Sequence, residues 1–404
     1  MTVVHPGDLL DEAAAVLPDA VDLRRRIHRT PELGLDLPHT QAAVLGALDG
    51  LPLTVRTGDA LTSVVADLAG GAPGPTVLLR ADMDALAMHE DSGVDYTSTV
   101  DGAMHACGHD AHTAMLVGAA RVLAAAAPDL AGSVRFMFQP GEEGQGGARH
   151  MIDEGVLDGV DAAFALHVSP NLPSGAVATR PGALLASADV LRITVTGRGG
   201  HASTPHLAND PMPVAAAIVQ ALQVLVTRRV NAFDPVVVTI TRIRAGTTDN
   251  VIPERVELTG TLRAVSDGAR KRVVDAMRGL VAGIAAAHEM EAELRVVPGY
   301  PVTVNDDACA GFVADVATSL LGADRVHRMP APVMGAEDFS YVLRERPGAM
   351  GFLGVCPPGT HPARAPACHS NRMTLDEDAM GAGIALYAAL AHAYLADPAA
   401  ATVR

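Results

Sequence analysis

The sequence has too little positive charge for a protein that binds nucleic acids. Its 404 residues include 30 lysines and arginines against 46 aspartates and glutamates, which gives a formal net charge of −16 at pH 7. Because binding to a phosphate backbone requires a basic patch, we expect no nucleic-acid partner. The one dense basic cluster, residues 24–26, lies in a helical pattern, and we expect it to form a solvated face.

Long apolar runs and a signal sequence are also missing. No uninterrupted apolar run approaches the ~18–20 residues that a membrane span needs, so we expect no membrane association. Residues 1–17 are acidic and lack the basic region of a signal peptide, which favours the cytoplasm. Cysteine is scarce as well, with four residues in the chain. In a long cytosolic chain they are expected to be reduced, buried or metal-binding, with a Cys356–Cys368 bridge as the alternative.

The first part of the chain has the pattern of a mostly parallel α/β sheet. A length of 404 residues with 49% hydrophobic residues favours two domains. Three short apolar segments predict buried strands at 76–80, 134–138 and 162–166. Helical patterns at 113–127 and 147–153 separate them, which indicates βαβ units with helices on both faces of the sheet.

The pattern changes near residue 187. Strands predicted at 190–196, 236–243, 254–263 and 291–297 alternate with helices at 210–230 and 267–289. This β-α-β-β-α-β order is typical of a ferredoxin-like α+β domain. The α/β pattern of the first part of the chain resumes after residue 301, with a helix at 307–321, a strand at 348–354 and a helix at 376–395. We therefore predict a discontinuous domain of residues 1–187 and 302–404, interrupted by an inserted domain of residues 188–301.

Each of the three early strands leads directly to groups that can bind metal or transfer protons. Asp82 and Asp84 follow the first strand, Glu142 and Glu143 the second, and His167 the third. In open α/β sheets, ligands bind beyond the carboxyl ends of the strands. Solvated charges would explain any one of these groups, but three in succession favour a site.

The densest group of ligand-type residues is the octet His105-Ala106-Cys107-Gly108-His109-Asp110-Ala111-His112. Thiolate and imidazole are the ligands of borderline-soft divalent metals. Cys107 and His109, two residues apart, can point the same way from an extended segment that then enters a helix. The alternative is a surface histidine cluster beside a buried cysteine. His105 and His112 are expected to be structural, and His28 and the other isolated histidines have no such neighbours in the sequence.

Candidate metal ligands from distant segments outnumber what one tetrahedral site needs, and this favours two metals that share a ligand. The candidates are Cys107, His109, Glu143, His167 and His369. In the pair of Glu142 and Glu143, one carboxylate can bind metal while its neighbour, pointing differently, acts as a general base toward metal-bound water. The alternative for this glutamate pair is an exposed acidic turn.

Motifs along nearly the whole chain resemble the dinuclear aminoacylase/carboxypeptidase metallopeptidase family. The similarity is to its amidohydrolase branch, which includes hippurate hydrolases, N-acyl-amino-acid amidohydrolases and plant auxin-conjugate hydrolases. The matching stretches are 80–86, 105–112, 138–147, 165–167, 197–206, 250–253, 260–263, 334–341 and 369–370.

The resemblance implies a role for each candidate residue. It implies that Cys107, His109, Glu143, His167 and His369 bind two divalent metal ions per chain, with manganese or zinc favoured and cobalt or nickel also compatible. It implies that Glu142 is the general base and that Asp82 orients a ligand. The inserted domain would then be a lid and homodimerisation module, in which His201 stabilises the oxyanion and Asn250 contacts the substrate.

The function implied is metal-dependent hydrolysis of the amide bond of N-acyl-L-amino acids. One alternative is a dipeptidase or aminopeptidase on the same scaffold. Another is a catalytically silent protein that binds a metal or an amino acid. Glu142 beside Glu143 favours catalysis, because a binding protein needs no base there. The acyl group, the amino acid and whether His201 acts in its own chain or across a dimer stay open.

Overall fold

The structure is a computed structural model that describes residues 6–401, and the chain divides into two units. The first unit comprises the described chain up to Gly182, Val304–Ala331 and the chain from Asp338 onward. The second unit comprises Ala183–Thr303 and Pro332–Glu337. The sequence placed the inserted segment at residues 188–301 and did not predict the return of residues 332–337. Residues 332–337 belong to the second unit because the N–H of Val333 donates to the carbonyl oxygen of Leu184 at 2.9 Å.

The elements alternate along the chain much as predicted. The α-helices of the described residues are α1 Pro6–Arg29, α2 Pro38–Leu48, α3 His109–Ala126, α4 Gly147–Asp153, α5 Pro211–Arg229, α6 Asp267–Ala287, α7 Asp307–Leu321, α8 Phe339–Glu345 and α9 Ala379–Ala396. The strands are β1 Leu53–Thr57, β2 Val64–Ala69, β3 Ala72–Asp82, β4 Ala131–Gln139, β5 Ala162–Ser169, β6 Val177–Thr179, β7 Gly182–Leu185, β8 Ser187–Thr196, β9 Gly200–His201, β10 Val236–Ala245, β11 Val251–Ile252, β12 Arg255–Ala264, β13 Glu291–Pro298, β14 Thr303–Asn305, β15 Val326–Arg328 and β16 Gly348–Gly354.

The first unit contains an eight-stranded sheet with the order β1-β2-β4-β3-β5-β16-β6-β15. The four central strands, β4, β3, β5 and β16, are parallel, while β1 and β2 extend one edge antiparallel. The predicted mostly parallel sheet is therefore confirmed. The sequence did not predict β1, which has five residues, four of them exposed.

Helices cover both faces of the central strands. Val77, Leu79 and Ala81 of β3 lie in the core that α1, α3, α7 and α9 build. Leu78 and Arg80 point to the opposite face, because successive strand residues alternate, and they are fully buried as well. Helices α4 and α8 pack on each other and contact β4 and β5, respectively. Strands buried on both faces explain why these segments are continuous apolar runs.

The second unit has the predicted ferredoxin-like topology. Strands β10, β12, β8 and β13 form an antiparallel sheet in that order, and α5 and α6 pack against it. The short antiparallel pair of β9 and β11 is an addition that the sequence did not predict.

Two findings bear on the expectations from composition. Three helices of the described residues are apolar and long enough to cross a membrane by length and composition, namely His109–Asp129, Pro211–Arg229 and Ala379–Ala396. Alanine-rich windows reach this hydropathy without an uninterrupted apolar run, and the first and third windows are 67% and 72% buried inside the protein. The basic cluster is not a solvated face, because Arg24 is buried and bonded to Asp110 and Glu377.

Candidate metal centre

The carboxyl ends of neighbouring parallel strands bring functional groups to one edge of the sheet. Asp82, the last residue of β3, lies in register with Gln139, the last residue of β4. The turn with Glu142 and Glu143 follows β4 directly. His167 lies near the end of β5, which pairs with β3 on its other side. The structure thus places these groups where the sequence predicted them.

A left-handed glycine sets the directions of Cys107 and His109. Gly108 has a φ of +88°, and α3 begins at His109. The predicted extended segment is wrong at this point, because a positive φ turns the chain sharply between the two side chains. A β-carbon on Gly108 would lie 2.3 Å from Cγ2 of Val168, so the turn can accommodate only glycine without a shift of the backbone or of Val168.

His369 joins this edge from the carboxyl-terminal part of the chain. Its backbone N–H donates to the carbonyl oxygen of Ala106 at 2.8 Å, and its Nε2 lies 3.2 Å from Oε1 of Glu143. His369 has a φ of +70°, a left-handed conformation that costs a non-glycine residue about 1–3 kcal/mol. The pairing with Ala106 therefore holds a strained histidine beside Cys107, as is common at functional sites.

The five side chains predicted as metal ligands lie together and form two groups that share Cys107. One group is Cys107, His109 and His167, and the other is Cys107, Glu143 and His369. Within each group the donor atoms all lie within 4.8 Å of one another. This arrangement is compatible with two divalent cations bridged by one thiolate.

The hydrogen bonds of the histidines leave the right nitrogens for metal binding. Nδ1 of His109 lies 2.8 Å from the carbonyl oxygen of Asp84, and Nδ1 of His167 lies 2.7 Å from that of Val168. Because a carbonyl only accepts, each ring donates from Nδ1, which leaves Nε2 as the nitrogen that can bind metal; Nε2 of His167 lies 3.4 Å from Sγ of Cys107. Nε2 of His109 is buried and has no hydrogen-bond partner among the described residues. A buried nitrogen of this kind fits a metal ligand.

The protein groups around the ligands keep two of them protonated. A hydrogen bond with Cys368, burial and nearby glutamate charges raise the pKa of the Cys107 thiol well above its usual value. Burial lowers the pKa of His109, but the charge of Asp82 and the hydrogen bond to Asp84 outweigh burial and raise this pKa to about 10. A divalent cation must therefore displace protons from both side chains when it binds.

Asp82 lies behind the predicted ligands and contacts one of them. Its Oδ1 accepts from Nδ1 of His112 at 2.6 Å, and its Oδ2 lies 2.7 Å from Arg80 and 3.5 Å from Nε2 of His109. Nε2 of His112 accepts from the N–H of Val168 at 2.8 Å, so both ring nitrogens of His112 are used. His112 also belongs to a candidate ligand group with Asp82 and His109, but because both of its nitrogens have partners, its role as a structural residue stays a prediction.

Sequence reasoning missed a buried network that anchors Asp82. Arg80 donates to Asp82, to Gln139 at 2.9 Å and to Asp338 at 3.0 Å. The amide of Gln139 and the N–H of Ala148 also donate to Asp338. These side chains are all fully buried or nearly so. The sequence did contain a clue to this network, because Arg80 and Asp338 lie in two of the stretches that resemble the family.

Asp84 is a second residue whose role the sequence did not reveal. Its two carboxylate oxygens accept from the backbone N–H groups of Glu142 and Glu143, at 2.8 and 2.9 Å. Its carbonyl oxygen accepts from His109. One residue thus fixes the turn that carries the predicted base and a predicted ligand, and also orients a second ligand.

The predicted substrate-binding residues His201 and Asn250 lie beside each other in the second unit. His201 pairs with Val251 across β9 and β11, and the N–H of Ala202 donates to the carbonyl oxygen of Asn250 at 3.0 Å. Nδ1 of His201 lies 3.1 Å from the backbone nitrogen of Ser203. Because a backbone N–H only donates, the neutral ring carries its proton on Nε2. This tautomer can donate to a developing oxyanion.

Shared thiolate, imidazole and carboxylate donors next to a second, buried glutamate define a metal-dependent hydrolase. Residues 78–393 match the model of Peptidase family M20/M25/M40. The chain belongs to this family.

Relatives cover almost the whole chain. Thermostable carboxypeptidase 2 of Saccharolobus solfataricus is 40% identical over 93% of this chain and 94% of its own. N-acetylcysteine deacetylase of Bacillus subtilis is 38% identical over 92% and 95%, respectively. The crystal structure of the Bacillus subtilis YXEP protein, described as a dinuclear metal-binding peptidase of the M20 family, has a TM-score of 0.83 and 33% identity over 95% and 99%.

Proposed function

We propose that this protein hydrolyses the amide bond of N-acyl-L-amino acids. The observation that carries this proposal is the difference between two adjacent glutamates. Both glutamates belong to a candidate ligand group with His109, but only Glu143 also belongs to the group of Cys107 and His369, and Glu142 is 6% exposed. Two relatives of similar length are named a carboxypeptidase and an N-acetylcysteine deacetylase, and both names denote cleavage of an amide bond at an amino acid.

In the proposed reaction, Glu142 transfers a proton from water to the leaving amine. When bound, divalent cations would polarise the scissile carbonyl and ease deprotonation of water. Glu142 takes a proton from the attacking water and then gives it to the leaving amine nitrogen. The N–H of Asp338 lies 3.4 Å from Oε1 of Glu142, and Asp84 fixes its backbone, so the carboxylate is held in place. The products are a carboxylic acid and a free amino acid.

The remaining roles are assigned from the resemblance and the donor chemistry. His201 donates from Nε2 to the oxyanion of the tetrahedral intermediate, and Asn250 contacts the substrate. The charge of Asp82 acts on the ligand His109 from 3.5 Å, while the carbonyl oxygen of Asp84 orients its ring. The donor set of thiolate, imidazole and carboxylate suits manganese or zinc, two ions per chain, and also accepts cobalt or nickel.

We also propose that the protein is a homodimer that associates through the second unit. Strand β10 is an edge strand with one row of unpaired backbone groups, and such edges readily pair with another chain. Val237 and Ile243 on β10 are 42% and 58% exposed, and Val224 on α5 is 59% exposed. Ile243→Asp should shift the protein to monomers in sedimentation velocity. Val55→Asp, at an exposed apolar position on the edge strand β1, is the matched control and should leave the oligomeric state unchanged.

A substrate panel tests the proposed activity. The protein is stripped with a chelator, reloaded with each candidate metal and assayed with N-acetyl, N-benzoyl and indole-acetyl amino acids and with dipeptides. We expect metal-dependent release of the amino acid from at least one N-acyl class, and no release by Glu142→Ala. Turnover of dipeptides alone would favour the dipeptidase alternative. Tight metal binding without any turnover would favour the silent binding protein.

A further inference from the structure

A second cysteine lies against the shared ligand Cys107, and none of the roles above uses it. Sγ of Cys368 lies 3.8 Å from the carbonyl oxygen of Cys107 and 3.8 Å from that of Val168. The thiol groups of Cys107 and Cys368 are hydrogen-bonded to each other. Both are free in this structure. The two sulfur atoms are therefore direct neighbours at the metal centre.

The backbone brings the two cysteines within the range of a disulfide. The N–H of His369 donates to the carbonyl oxygen of Ala106, so residues 107 and 368 lie on facing segments next to this hydrogen bond. A disulfide needs an α-carbon separation of about 4.4–6.8 Å. Because the two chain segments are hydrogen-bonded to each other and the two thiols are hydrogen-bonded as well, we infer that the bond can form without rearrangement of the fold.

The other two cysteines have different neighbours. Sγ of Cys309 lies 3.3 Å from the carbonyl oxygen of Ala401, and Sγ of Cys356 lies 3.2 Å from that of Thr360. Both residues are buried, whereas Cys368 is partly exposed. Cys368 is thus the cysteine with the greatest residue exposure, and Cys107 lies next to it.

We propose that Cys107 and Cys368 form a reversible disulfide that takes the shared ligand out of the metal centre. The oxidant is a low-molecular-weight disulfide. Cys368 attacks one of its sulfurs and releases one thiol, and Cys107 then attacks the sulfur of Cys368 and releases the second thiol. Two protein thiols are oxidised and one small disulfide is reduced to two thiols. The effect on metal rests on the proposed function, in which Cys107 is a ligand, but formation of the bond does not.

The test treats the metal-loaded protein with oxidised glutathione and then alkylates the remaining thiols. Intact mass and peptide mapping should show that two of the four thiols are lost and that the peptides of Cys107 and Cys368 are cross-linked. A chromogenic chelator should report released metal, and dithiothreitol with added metal should restore the starting state. Cys368→Ser should form no cross-link and keep its metal under oxidant. Cys356→Ser is the matched control and should behave like the wild type.

The outcomes separate this proposal from the proposed function. A cross-link between other cysteines, stable glutathionylation of Cys368 alone, or no loss of thiols would overturn the disulfide and leave the hydrolase assignment standing. A Cys107–Cys368 cross-link with both metals retained would instead show that Cys107 is not a ligand. That result would overturn the metal effect and the ligand set together.

Discussion

One added methyl group at Gly108 tests how closely the metal ligands are packed. Alanine at a φ of +88° costs about 1–2 kcal/mol in backbone strain, and its β-carbon would also meet Val168 at 2.3 Å. We expect Gly108→Ala to lose metal at one site or both, measured by elemental analysis after dialysis. Gly50→Ala is the matched control, because Gly50 has a φ of +78° but no atom within 4 Å of its β-carbon position. Full metal content in both variants would mean that the turn at residue 108 does not set ligand geometry.

The protonated states of Cys107 and His109 predict how metal affinity changes with pH. Because the pKa of each side chain is raised, both hold protons at neutral pH, and a cation competes with those protons. Affinity should therefore rise with pH, by about tenfold per pH unit for each displaced proton. Calorimetric titration in two buffers of different ionisation enthalpy counts the protons released. Affinity that does not change with pH would contradict these protonation states.

Some site residues could be predicted from the sequence and others could not. The difference is whether the role of a residue depends on its own type and position or on contacts with distant segments. Cys107, His109 and His167 could be predicted because their chemistry is visible in residue type and in their position at strand ends or a helix start. Asp84 and Asp338 could not be assigned, because their roles are hydrogen bonds to segments far away in sequence. An aspartate in a strand-end loop has the same local signature whether it binds metal, holds a backbone or faces solvent.

Helix α1 supports the octet through a buried charged cluster. Arg24 and His28, four residues apart, lie on one helix face. Both reach Asp110, and His28 also reaches Glu90 at 3.1 Å. These neighbours of His28 could not be predicted from the sequence, because they lie on other elements. Since Asp110 follows His109 directly, this cluster ties α1 to the start of α3, beside the proposed metal ligands Cys107 and His109.

The cluster predicts a loss of stability at alkaline pH. Burial lowers the pKa of His28, but the charge and hydrogen bond of Asp110 and the hydrogen bond of Glu90 raise it from 6.5 to about 9. A raised pKa means that the protonated form favours the folded state. The contribution of His28 to the free energy of unfolding is complete below about pH 6.5 and is lost as the pH rises through about 9. It is on the order of 3 kcal/mol.

A comparison with His28→Gln isolates this contribution. The difference in free energy of unfolding between the wild type and the variant should shrink as the pH rises through this window, measured by urea titration at each pH. A difference that stays constant with pH would mean that His28 is not protonated in the folded protein.

Among the helices and strands, too, some could be predicted from the sequence and others could not. Strands β3, β4 and β5 were predictable because burial on both faces makes each a continuous apolar run. The pair of β9 and β11 was not, since each strand has only two residues and exists through its pairing. Residues 332–337 join the second unit through backbone hydrogen bonds to residues 184–186, which no local pattern indicates.

The whole molecule must bring His201 to the substrate if the proposed role is right. A donor to the oxyanion acts in the transition state, so His201→Ala should lower kcat by about 10²–10³ and change KM only a fewfold. Its metal content should equal that of the wild type. Near-normal kcat with reduced thermal stability would show that His201 only supports the β9–β11 pair.

Mixed dimers would reveal whether the site is shared between two chains. His201→Ala and Glu142→Ala are each expected to be inactive, but a dimer with one of each contains an intact copy of both residues. If His201 acts across the dimer, mixing the two variants should recover part of the activity. No recovery despite proven subunit exchange would mean that each chain builds its own site.

Metal content and turnover of Glu142→Ala, measured on the same sample, decide whether this chain is a hydrolase that uses Glu142 as its base. Glu142 also lies in a candidate ligand group with His109 and Glu143, but it belongs to neither group that shares Cys107, so the variant should keep the metal content of the wild type. Loss of a general base should lower kcat on an N-acyl amino acid by about 10²–10⁴. Glu143→Ala, one residue away, should instead lose metal. A Glu142→Ala variant that binds full metal and turns over within a fewfold of the wild type would contradict the account.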